Sequence, residues 1–117
     1  MLEAQNPPPV ALLSSEDYIT QEALKMGVDP RLALYVWTHE GQGNLTARGD
    51  LHLTCKRTGA PVNARGGWQI TECYHPEVSD ACADDLECST KVAMPWLVEK
   101  KKCMQEFSTC RAYYRNQ

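Results

Sequence analysis

Residues Asp29–Gly41, DPRLALYVWTHEG, read as one helix that ends on a carboxylate. Asp29 suits the N-cap, because its side chain can accept from free backbone amides, and Pro30 suits the first helical position, where no amide donor is needed. Leu32, Ala33, Val36 and Trp37 recur at helical spacing and form one apolar face for a core to cover. Gly41 is placed to end the helix in a left-handed conformation. Glu40 then falls in the last turn, at the negative end of the helix dipole. A carboxylate there is disfavoured in its charged form, and burial raises its pKa further. Such a glutamate is either part of a solvated helix end or a general acid, and the segment alone leaves both open.

Working outward, the 117 residues suit a single domain. A formal charge of -3, with no basic stripe interleaved with aromatics, gives no footprint for nucleic acid. No apolar run is long enough to cross a bilayer. The start, MLEAQNPPP, lacks the charged and apolar regions of a signal peptide. Residues 1–13 are expected to be a proline-rich linker remnant of a longer secreted or anchored protein, and residues 14–117 the domain proper. None of the six cysteines forms a CxxC pair, so spacing does not indicate structural zinc. Their even number favours disulfides and an oxidising, extracytoplasmic compartment; buried free thiols in a cytosolic protein are the alternative. His39, His52 and His75 show no ligand spacing, so neither a metal nor a cofactor is expected.

Before the opening segment, Ser14 or Ser15 caps a first helix with Glu16 and Asp17 in its first turn. Ile19, Ala23 and Met26 mark its inner face, and Gly27 stops it. After Gly41, Leu51, Leu53 and Cys55 alternate with His52, Thr54 and Lys56, the period of a half-buried strand. Thr58, Gly59 and Pro61 suggest a turn, with a return through Val62. The expected fold is mainly α, with a short β-hairpin or loop excursion beside a cleft, stabilised by disulfides. An excursion lining nothing is the plainer alternative. Asn44-Leu45-Thr46 matches a glycosylation acceptor, a pattern short enough to arise by chance.

Next comes Ala64-Arg65-Gly66-Gly67-Trp68-Gln69-Ile70-Thr71, two glycines before an expected short helix. A helix ending in Glu-Gly or Glu-Ser, a loop, then Gly-(apolar)-(apolar or aromatic)-Gln-Ile resembles the lysozyme-like domain of the soluble lytic transglycosylases. Gly66-Gly67-Trp68-Gln69-Ile70 stands where that family commonly reads GLMQI. Gly27–Leu34 is similar to its approach to the catalytic glutamate, Asp84–Ala93 to the capped start of its long helix, and Phe107–Tyr114 to its closing segment. The resemblance runs from about Ser15 to Tyr114. Two departures stand out. Gly41 replaces the serine often found beside the acid, and Pro95 should kink or interrupt the long helix.

The resemblance implies cleavage of peptidoglycan by a single acid/base, Glu40, with the sugar's own C6 hydroxyl attacking to give a 1,6-anhydro-muramyl product. A raised pKa suits that acid. A hydrolase would add a second carboxylate. Asp50 is the only acidic residue between Glu40 and Glu72, and its surroundings read as open loop. The same resemblance makes Gln69, Trp68, Ile70, Asp50 and one of Tyr113 or Tyr114 substrate-binding residues. Gln69 capping a backbone group, Trp68 in the core and a core tyrosine are the plain alternatives. At least two disulfides are expected, Cys88–Cys110 first, because it would tie the start of the long helix to the closing segment, and Cys73–Cys82 second. Cys103 and Cys110 could pair only if the helix ends between them, since seven helical residues rise ~10 Å. Three functions stay open: a lytic transglycosylase, a hydrolytic lysozyme on the same scaffold, and a non-catalytic glycan-binding or assembly module. A monomer binding peptidoglycan strands, and not nucleic acid, is expected.

Overall fold

The computed structural model describes residues 13–117. The expected linker lies outside the described residues except for Leu13, which packs on the edge of the core. Ser14 accepts from the Asp17 amide at 3.0 Å and starts α1, Ser15–Met26. Ile19 and Ala23 are buried, but Met26 in the last turn is exposed. Gly27, left-handed at φ 73°, ends the helix by donating back to Ala23 and Leu24.

Asp29 caps α2, Pro30–Glu40, through the Arg31 amide at 2.9 Å, and the four apolar residues of its inner face are all buried. α2 packs against α1 on one side and a closing helix, α6 (Ser108–Arg115), on the other. Gly41 is not left-handed, as its type suggested, but right-handed at φ -93°. Glycine is needed there for space. A Cβ at Gly41 would collide with the Gly67 backbone, and one at Gly67 would overlap the Trp37 ring. The chain around Gly67 therefore lies directly on the end of α2, and Trp37 meets Trp68 edge-on at 5.3 Å between centroids.

Three two-residue strands, β1 (Arg48–Gly49), β2 (Ala64–Arg65) and β3 (Ile70–Thr71), form an antiparallel sheet in that order. Arg48 pairs with Arg65, and Arg65 with Ile70. The alternation at Leu51–Cys55 does not make a strand. That stretch is a series of turns with one bridge, Thr54 to Pro61. Leu51 and Leu53 are exposed and only Cys55 is buried. The Cys55 amide donates to the Ala60 carbonyl at 2.7 Å and the Val62 amide to the Leu53 carbonyl at 2.8 Å, which folds the excursion back on itself, and the Cys55–Cys73 disulfide ties it to the segment after β3. Nor do Trp68–Ile70 begin a helix. Gly66 (φ 79°) and Gln69 (φ 54°) are both left-handed, which makes residues 66–69 a tight turn joining β2 to β3.

Arg65 is fully buried and fixes the segment after β3. Its guanidinium donates to the carbonyls of Ile70, His75 and Val78 and to Asp80. Ser79 then caps α3, Asp80–Ala83, and Asp85 caps α4, Leu86–Leu97, through the Cys88 amide at 2.8 Å. Pro95 sits in the last turn of α4, and the helix stops at Leu97. α5, Lys100–Glu106, and α6 complete a body that is mainly helical.

All six cysteines are paired, but not as expected. The bridges are Cys55–Cys73, Cys82–Cys88 and Cys103–Cys110, so neither Cys88–Cys110 nor Cys73–Cys82 forms. Cys103 reaches Cys110, with Cα atoms 5.8 Å apart, because the chain leaves the helix at Phe107 (φ -130°, ψ 120°) between α5 and α6. Cys82–Cys88 closes the α3–α4 corner in the same local way. No helix among the described residues is long and apolar enough to cross a membrane.

Candidate active site

Glu40 closes α2 half-buried, with Gly41 and the 66–69 turn packed behind it. Burial pushes its carboxyl pKa above the ordinary glutamate range. A hydroxyl at Thr109 on α6 draws it back, the negative charge of Asp50 raises it again, and His39 lowers it slightly. The Thr109 Oγ1 is itself buried beside that carboxyl.

Glu40 opens on a cleft of about 390 Å³ that is walled by Asp50, Ala64, Gln69 and Thr71 from the sheet side and by Gln105, Glu106, Ser108 and Arg111 from α5 and α6. A second cavity of about 740 Å³ continues it past Leu53, Val62, Tyr74, His75 and Lys102. The two share Asp50, Thr71, Gln105 and Glu106, so they form one groove. The excursion at residues 51–62 contributes Leu53 and Val62 to a wall of that groove.

The structure separates the residues that the sequence grouped. Gln69 lines the cleft with Glu40, and its Nε2 also donates to the Gly66 carbonyl at 2.9 Å, so it holds the turn and faces the groove at once. Asp50 lies in exposed loop, as its surroundings in the sequence suggest, yet it borders the groove. Left-handed at φ 55°, it lines both parts of the groove. Trp68 and Ile70 are core residues; Trp68 is fully buried, which leaves no ring face for a sugar, and its indole N–H donates to the Thr90 hydroxyl at 3.0 Å. Tyr113 packs on Tyr35 and Tyr114 lies under Lys100; neither is among the groove-lining residues.

Gln105 and Glu106 belong to no motif of the sequence, Ser108 and Arg111 fall within the Phe107–Tyr114 segment without a role read for them there, and His75 shows no ligand spacing. Glu106 accepts from His75 at 2.7 Å and from Lys102 at 3.1 Å in mid-groove. His75 also stacks on Trp96 with centroids 4.4 Å apart. The i,i+4 spacing of Lys102 and Glu106 was the one signal available, and it marks helix faces in general. Comparison with protein-family models, curated proteins and solved structures finds no match to this chain.

Proposed function

We propose that this domain is a peptidoglycan lytic transglycosylase that cleaves the β-1,4 bond between N-acetylmuramic acid and N-acetylglucosamine. The observation that carries the reading is a half-buried glutamate, its pKa raised by burial, lining a groove with Asp50, Gln69 and Arg111. Protonated Glu40 gives its proton to the leaving glycosidic oxygen. The resulting carboxylate then takes the proton of the muramyl C6 hydroxyl as that oxygen attacks C1, which yields a 1,6-anhydro end and restores the acid. The resemblance of Glu40-Gly41, Gly66–Ile70 and Phe107–Tyr114 to the family motifs supports the assignment, and a helical body with a small sheet beside a cleft suits a lysozyme-like fold. Three disulfides fit an extracytoplasmic location, where this polymer lies.

One observation favours a second reading, hydrolysis. Asp50 shares the groove with Glu40, close enough for its charge to raise the Glu40 pKa, and could activate a water. A glycan-binding module without activity has no use for a carboxylate so placed. Incubation of purified sacculi with the protein tests the reading. Soluble fragments should appear with the wild type and not with Glu40→Gln, and release by neither would remove catalysis from the account.

A further inference from the structure

The groove holds three cationic or ionisable basic side chains, and two of them are occupied. His75 and Lys102 both contact Glu106. Arg111 makes no ion pair among the described residues, although Glu40, Asp50 and Glu106 line the same cleft.

Arg111 is nevertheless held in place. One guanidinium nitrogen donates to the Met104 carbonyl at 2.7 Å. Met104 and Arg111 each adjoin a cysteine of the Cys103–Cys110 bridge, which clamps the α5–α6 corner. A guanidinium anchored through one nitrogen keeps further N–H donors for a planar acceptor, and a pre-positioned one loses little freedom on binding. Such a fork matches a carboxylate.

We infer that Arg111 is a specificity residue that binds a carboxylate carried by the muramyl side chain of the substrate strand. This rests on the reading of the groove as a peptidoglycan cleft. The carboxylate has two chemical sources, the free lactyl group of a peptide-stripped strand or an acid of an attached peptide stem.

Steady-state cleavage by wild type, Arg111→Gln and Arg111→Lys on three substrates tests it: peptide-free strands, the same strands with carboxylates converted to methylamides, and peptide-bearing strands. With the lactyl group as ligand, wild-type KM rises roughly tenfold on amidation, a usual size for one hydrogen bond to a charged group. Arg111→Gln then raises KM by a similar factor on the native peptide-free strands, leaves the amidated strands unaffected and changes kcat little. Arg111→Lys recovers part of the loss. With a stem acid as ligand, the Arg111 dependence appears on the peptide-bearing strands instead. Equal KM for wild type and Arg111→Gln on all three, or an equal loss on all three, overturns the inference while leaving the groove assignment standing. Wild type cleaving none of them fails the underlying reading. Circular dichroism of both variants excludes misfolding as the cause.

Discussion

Glu40 and Asp50 line one cleft, and the charge of Asp50 adds to the burial that holds the Glu40 carboxyl above its ordinary range. That coupling gives Asp50 a measurable influence even if it never touches the reacting atoms. Asp50→Asn removes the repulsion, so the Glu40 pKa falls. A general acid must be protonated, so the alkaline limb of the pH profile of kcat/KM should move to lower pH. Cleavage should persist under the single-carboxylate route. An unmoved limb would show that the two carboxylates do not communicate.

Glu40→Gln keeps the shape of the site and removes the proton. General acid–base catalysis contributes ~10²–10⁴-fold, so cleavage should fall by at least that much. Stability should move the other way. The folded pKa lies above the ordinary value of 4.5, so the native state is at full stability below that value and loses some as pH rises through the raised pKa. At neutral pH the variant should melt at the same temperature or higher, with the advantage vanishing in acid. A lower melting temperature at pH 7 would mean that the ionised carboxyl is stabilising.

Gly41→Ser restores the residue that the resembled family often carries beside its acid. Here the added Cβ meets the Gly67 backbone. Overpacking of this kind costs roughly 1–3 kcal/mol, so the urea midpoint should drop. A neutral effect would mean that the 66–69 turn can move away from α2.

Arg65→Met would leave the carbonyls of Ile70, His75 and Val78 without their buried donor. Unsatisfied buried groups cost about 1–3 kcal/mol each, and some will find water, so a loss on the order of 3–5 kcal/mol is expected in chemical denaturation. Little change would assign the 71–80 segment to its other contacts.

Local signals in the sequence were read correctly where a single segment settles its own structure. Ser14, one of the two serines proposed, and Asp29 cap their helices, Gly27 stops one, and the face of α2 is buried as its spacing predicts. The misses lie where distant segments decide. Leu51–Cys55 alternates like a strand but pairs with residues 60–62 only around the Thr54–Pro61 bridge, and Gln69 takes a left-handed turn because the chain must reverse over α2. The helix break at Phe107, which makes Cys103–Cys110 possible, is set by packing and not by a glycine or proline. Of the cleft, Glu40 and Gln69 were legible from motif spacing, whereas Glu106 on α5 belongs to no motif and Arg111 on α6 is a variable position inside one.

The chemistry of the new chain ends tests the central claim most directly. Mass spectrometry of fragments released from purified peptidoglycan should show 1,6-anhydro-muramyl ends with the wild type and none with Glu40→Gln. Reducing ends in their place would contradict the single-carboxylate route in favour of hydrolysis through Asp50, and anhydro ends produced equally by Glu40→Gln would contradict the assignment of Glu40 itself.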